Sequence, residues 1–282
     1  MTDRSAARPM QEEARRRGLD HWLKWVARFG YAARGLVYVA TGLFALVAAL
    51  TRGSGAVGTE GALARLAQGP FGAAWLWIAG AGLLAFALWR FVQAGFDPEQ
   101  GGVARGRSLY RLNRAISGAV HAALGWSAFQ ALDGLEDLSE EADARAQAAQ
   151  ILALPFGDLL LWGAAAALAV AAGGNLWKAW KHDFAEDLGA SRTARRWAPW
   201  LGRAGYAARG LVFALVALFL ARAALSQDPG AARSVGGAMQ ALEAQPFGSA
   251  LLAAVAAGFL AFGAYAFVQA AWRRIRVPRA LR

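Results

Sequence analysis

Two arginines are set up for the same chemistry. Arg34 follows Tyr31 by three residues in Gly30-Tyr31-Ala32-Ala33-Arg34-Gly35, and Arg209 follows Tyr206 in Gly205-Tyr206-Ala207-Ala208-Arg209-Gly210. Arg28 and Arg203 stand six residues before them in both copies. A planar guanidinium grips a phosphate or carboxylate through two parallel hydrogen bonds. Exposed N–H groups at a helix N-terminus prefer the same ligands. Arg28, Tyr31, Arg34, Arg203, Tyr206 and Arg209 are therefore candidates for contact with an anion or a lipid headgroup. A simpler reading is that Arg reaches out to lipid phosphates along its aliphatic stem while Tyr marks the interface, both setting helix depth.

A second set is polar and repeats in register. Tyr38, His121 and Phe213 share one position, and Gln130 shares another with Val47 and Arg222. Gln93, Lys178 and Gln269 coincide near the ends of the later apolar runs. If Tyr38, His121, Gln130 and Arg222 faced a common axis they would line it with polar groups, the simplest selectivity device. Interface trimming by polar residues is the plainer alternative. His121 has no intramembrane carboxylate to relay a proton with. Asp133, Glu136, Asp137, Glu140, Glu141 and Asp143 crowd one loop, but without the ordered spacing of a calcium loop they read as a solvated helical face.

Other chemistry has no residues to carry it. Cysteine is absent, which excludes disulfides, Fe–S clusters and thiolate nucleophiles. The sequence contains no Gly-x-Ser-x-Gly, His-Glu-x-x-His, Walker A or paired intramembrane carboxylates. No enzyme, cofactor or metal site is expected, and three scattered histidines (His21, His121, His182) make a poor ligand set.

The elements that must position these residues are membrane helices. Of 282 residues 57% are apolar and 17% charged, and the charges are segregated. No Asp, Glu, Lys or Arg lies between Arg65 and Arg90 or between Glu243 and Arg273. Further clean runs lie at 35–51, 115–132, 159–177 and, more briefly, 210–221. About 20 apolar residues cross a bilayer core, so six spans are expected. Alternate connecting segments hold 25 of the 30 Lys and Arg residues, which points both termini to the cytoplasm. The net charge of +11 then reads as topology and attraction to anionic lipid rather than to nucleic acid.

The runs also repeat. Pro70-Phe71-Gly72, Pro155-Phe156-Gly157 and Pro246-Phe247-Gly248 each precede an apolar run, and each follows an amphipathic segment (Leu63/Leu66, Ala148/Ile151, Met239/Leu242) expected to form a short helix on the outer face. Small residues seven apart (Gly35/Gly42, Gly118/Gly125, Gly210/Ala217) give each odd span a flat stripe for close packing. The middle copy departs at Asn113, Arg114 and Ser117. Each unit crosses twice, so the three units are parallel. The expected fold is an all-α membrane protein with six transmembrane helices, three parallel two-helix repeats in a pseudo-threefold bundle. The organisation is a disordered cytoplasmic tail over 1–18, repeats at 19–96, 105–181 and 194–272, and a basic tail over 273–282.

The two Gly-Tyr-Ala-Ala-Arg-Gly copies, the Pro-Phe-Gly triplets and the three-times-two layout resemble a bacterial integral-membrane family of unknown function. The resemblance covers most of the chain after the tail and implies the inner membrane, without an activity or site residues. A structural envelope protein that interacts with membrane lipids, especially anionic ones, or with protein partners or copies of itself is the expected role. Passage of a small solute or ion along the pseudo-threefold axis is the alternative.

Overall fold

The computed structural model describes residues 4–51, 55–96, 104–133, 140–186, 188–189 and 192–278. They form α1 (Arg4–Thr51), α2 (Thr59–Ala67), α3 (Gly72–Phe96), α4 (Ala104–Gln130), α5 (Glu140–Leu152), α6 (Gly157–Lys181), α7 (Arg192–Ser226), α8 (Val235–Glu243) and α9 (Gly248–Trp272). Short 3-10 turns follow α4 and α7. Five helices are long and apolar enough to cross a membrane: α1 from Gly18 onward, α3, α6, α7 and α9. The first helix of the middle repeat, α4, has comparable length at 27 residues. It is more polar than the others because Asn113, Arg114, Ser117 and His121 interrupt its apolar run.

Long helices pack side by side in the order α4–α3–α1–α9–α7–α6. In three of these contacts the first helix of one repeat meets the second helix of another, and there the small-residue stripe does what its spacing predicts. A Cβ on Gly35 would come within 3.0 Å of the Gly263 carbonyl oxygen, on Gly125 within 3.1 Å of that of Gly80, and on Gly210 within 3.1 Å of that of Ala172. Only flat surfaces let backbones approach so closely, and in lipid such approach supplies most of the packing energy.

Contacts inside a repeat are closer still, where they exist. Cβ atoms on Gly30 and Gly205 would stand 2.6 Å from the Cα atoms of Phe86 and Phe262. Aligning the motifs places Asn113 of α4 at that position, and Ile116 where Ala33 and Ala208 stand. Larger side chains cannot enter the same gap. Among the described residues α4 and α6 form no packed interface, and Asn113 and Ile116 are exposed.

One end of the bundle carries α2, α5 and α8, which precede the Pro-Phe-Gly turns as the sequence predicts, with Leu63, Ala148 and Met239 buried beneath them. The long helices begin at Gly72, Gly157 and Gly248 rather than at the prolines, because Phe71, Phe156 and Phe247 adopt left-handed backbones with φ of 62°, 61° and 60°. Each of these turns leaves no room for a side chain on the glycine: a Cβ would come within 1.8 Å of the Ala67 carbonyl oxygen at Gly72 and of the Glu243 one at Gly248.

Two acids from the loop expected to be a solvated face instead act as helix caps. Glu140 accepts the backbone N–H groups of Gly58 and Glu60, both at 2.8 Å, at the start of α2. Glu141 accepts from the Ser234 N–H at 3.1 Å and hydroxyl at 3.0 Å at the start of α8, and from Arg233 at 2.7 Å. Free N–H groups at a helix N-terminus attract carboxylates, and here they draw α5 onto both neighbours. Burial raises the Glu141 carboxyl pKa, but the Ser234 and Arg233 bonds outweigh that and hold it below the ordinary value. Glu136 and Asp137 lie outside the described residues.

At the other end α1 begins at Arg4, so residues 4–18, expected to be a tail, continue the helix. Ala6, Ala7, Met10, Glu12, Glu13 and Ala14 all favour that state. The basic C-terminal tail packs onto the bundle at its start. Arg273 is buried beneath the Tyr31 ring, Val277 is buried, and Leu188 pairs with Arg273 as an isolated β-bridge. Residues 1–3 and 279–282 lie outside the described residues.

Candidate functional site

Arginines at matching positions do different work at different depths. Arg28 donates to the carbonyl oxygens of Ala270 and Ala271, capping the end of α9. Arg111, at the same position of the middle repeat, donates to Ala94 at 2.5 Å and Gly95 at 2.9 Å, capping α3. A cation at a helix C-terminus satisfies orphan carbonyls and complements the dipole. Arg28 is thus committed within the protein, whereas Arg203, its match on α7, is exposed beside the Trp200 ring at 5.9 Å. A surface pocket of about 370 Å³ opens next to Arg28, with Lys24, Arg273 and Arg274 around it.

One to two turns deeper, the cations turn inward. Arg34 is 3% exposed, and its guanidinium lies over three rings: Phe262 at 4.4 Å, Phe86 at 5.0 Å and Tyr38 at 5.7 Å. Half-buried Arg209 lies over Phe213 at 4.8 Å, Phe262 at 4.9 Å and Tyr38 at 5.4 Å, so the two arginines share Phe262 and Tyr38. Arg90 lies over Phe86 at 4.5 Å and donates to Gln93 at 2.9 Å. Lys178 approaches the Tyr206 ring at 5.6 Å. None of Arg34, Arg90, Lys178 and Arg209 pairs with a carboxylate among the described residues, and the Nε atoms of Arg34 and Arg209 are buried without hydrogen bonds. The charges of Arg34 and Arg209 repel across the shared rings.

The aromatic side chains explain how such a cluster folds. Ring faces attract cations more strongly once water is excluded. The rings form a continuous chain through the interior: Tyr206 meets Phe262 at 5.2 Å, Arg34 bridges Phe262 to Phe86, and Phe86 meets His121 at 4.6 Å. His121 bonds the Ser117 carbonyl oxygen through Nδ1 at 2.7 Å. Partial charge on the rings offsets only part of the hydration that the buried cations lose.

The structure divides the residues singled out from sequence. Arg34, Arg209, Tyr206, Tyr38 and His121 meet in or beside the centre. Tyr31 is fully buried on Phe86 at 5.3 Å. Gln130 is half-buried at the other end of α4, and Arg222 is exposed, so these two do not join Tyr38 and His121 in one lining. Gln93 and Gln269 are buried and Lys178 is half-buried, all on the inner sides of their helices. Sequence reading missed Arg90 and the ring chain as parts of the centre. Phe86 and Phe262 at one repeat position were the available signal. Among the described residues no group of three acids or histidines is placed to hold a metal.

The chain belongs to the family described as Domain of Unknown Function (DUF1206), whose model matches three times, at residues 29–97, 113–182 and 204–273. It is 30% identical to the uncharacterized protein YxxB of Bacillus subtilis (strain 168) over 259 residues, which is 90% of this chain and 92% of that protein. No solved structure matches the chain.

Proposed function

We propose that this DUF1206 protein is a non-enzymatic, multi-pass protein of the bacterial inner membrane that holds an anionic group at the cation–ring centre. In this reading α4 is the sixth span, the three repeats stand around a pseudo-threefold axis, and both termini lie in the cytoplasm. The order of helix contacts and the near-equal lengths of the three matches support the ring. The bias of Lys and Arg toward alternate segments supports the orientation.

The observation that carries the function is Arg34, a guanidinium 3% exposed with no hydrogen bond or ion pair among the described residues. An intramembrane cation without a partner is costly, and such residues mark sites where a partner arrives. A phosphate offers oxygens to the forks of both Arg34 and Arg209. Conduction has less support, because Tyr38, the candidate axial residue of the first repeat, is buried with its ring 4.6 Å from that of Phe262.

Thermal unfolding of the purified protein in zwitterionic detergent tests the reading, with inorganic phosphate or phosphatidylglycerol added. A stabilisation in the wild type that disappears in Arg34→Gln/Arg209→Gln is expected. Equal shifts in both proteins, or none in the wild type, would overturn it.

A further inference from the structure

The three repeats fill equivalent positions beside the centre in different ways. Tyr31 and Phe86 stack edge to face at 5.3 Å in the first repeat, as do Tyr206 and Phe262 at 5.2 Å in the third. Their matches in the middle repeat are Arg114 and Ala171. One turn on, Trp89 and Tyr265 are fully buried, and their match is Gly174, where a Cβ would meet nothing within 4 Å. The middle repeat has therefore lost two rings on α6 and one on α4, at the place where α4 and α6 do not pack.

The space left is amphiphilic along its length. Toward the basic end it is flanked by Arg114, Ser117 and Lys178, with His121 on one side and the Tyr206 ring under Lys178 on the other. Arg34 stands at its inner limit, over the two rings, Phe86 and Phe262, that connect those sides. Further along, its rim is apolar and open: Val120 is 57% exposed on α4 and Val170 is 76% exposed on α6. A small anion would use only the first part. A phospholipid uses both, placing its phosphate among the cations and an acyl chain along the apolar rim.

We infer that the opening between α4 and α6 is a lateral binding slot for one anionic phospholipid, entered from the bilayer. The inference rests on the anion-binding reading above and assigns that site its ligand and its route. Charge complementarity selects the occupant, since Lys178 and Arg34 meet no carboxylate among the described residues and the lipid supplies that negative charge. Ala171 and Gly174 leave it free of the rings that the first repeat carries at those positions.

Refilling the slot tests this. Ala171→Phe/Gly174→Trp restores the side chains of the first repeat without touching a cation. Retention of phosphatidylglycerol through purification is expected to fall tenfold or more, while stabilisation by inorganic phosphate persists. Unchanged lipid retention in a folded refilled protein would overturn the slot and leave the anion site standing. Loss of phosphate stabilisation from the wild type itself would instead remove the anion site. A measurement on the native sequence covers the case in which the variant does not fold. Phosphatidylglycerol carrying a diazirine on its acyl chain, in phosphatidylcholine vesicles, is expected to label Val120 and Val170 several-fold above Leu43 and Leu218, which are 50% and 63% exposed elsewhere on the bundle. Excess phosphatidylglycerol should remove that preference and excess phosphatidylcholine should not. Uniform labelling of all four positions, or equal competition by both lipids, would overturn the inference.

Discussion

The first and third repeats close on themselves at the position where the middle repeat stands apart. Gly30 and Gly205 let their helices touch Phe86 and Phe262 at backbone distance, and Asn113 replaces them on α4. At the contacts between repeats all three copies keep a glycine, at Gly35, Gly118 and Gly210. The middle unit has therefore kept its hold on its neighbours and given up its hold on itself. A repeat protein can open one interface by enlarging a single small residue without disturbing the others, because each contact depends on its own flat patch.

The sharpest test enlarges the glycine in a closed repeat and its counterpart in the open one. Gly30→Leu or Gly205→Leu forces side-chain atoms into the Phe86 or Phe262 backbone and should cost about 3 kcal/mol or more, at the upper end for overpacking. Asn113→Leu should stay within about 0.5 kcal/mol, as exposed substitutions do. Detergent thermal melts of the three variants make the comparison. Equal losses would mean that α4 and α6 close in the membrane.

A smaller effect separates the caps. Arg28→Ala and Arg111→Ala each remove charge-assisted bonds to helix-terminal carbonyls and should cost about 1–2 kcal/mol. Arg203→Ala, whose side chain is exposed, should change stability by less than about 0.5 kcal/mol. The same melts would expose the distinction, and a large loss at Arg203 would place a cap there as well.

The smallest effect concerns Glu141, the acid by which the middle repeat holds α8. Because the folded pKa of Glu141 is depressed, its stabilisation is complete above the unfolded value of 4.5 and is lost as pH falls through the lower folded value. The side chain is still a quarter exposed, so solvent screening limits the loss to below about 1 kcal/mol. Glu141→Gln should flatten this acid limb of a stability–pH curve; an unchanged limb would assign it to other carboxylates.

Much of this fold is legible in the sequence because it repeats. Glycines seven apart could have only one use on an apolar helix, and they take it at Gly35, Gly125 and Gly210. The short helices before Pro-Phe-Gly show in the periodicity of Leu63/Leu66 and Met239/Leu242. The direction of the arginines does not show. Arg28 and Arg34 are six residues apart on one helix, yet one caps α9 and the other enters the centre, because only the second has rings opposite it. Ala270 and Phe262, the partners that draw them apart, lie more than 200 residues away in the chain, beyond any local pattern. Glu140 and Glu141 read as surface charge for the same reason, since the N-termini they cap belong to other repeats.

The extensive contact between α1 and α9 also sets a timetable. α1 is made well before α9, so the Gly35 face and the Arg34 guanidinium wait for Phe262 and Gly263 until α9 has been synthesised. Until then an unshielded positive charge sits in the bilayer on a helix without its neighbour, which is a mark that a membrane protease can read. A chain truncated before Gly248 should therefore be degraded faster than one truncated after Trp272, a difference that pulse–chase measurement would register. The arrival of α9 therefore coincides with the burial of that charge.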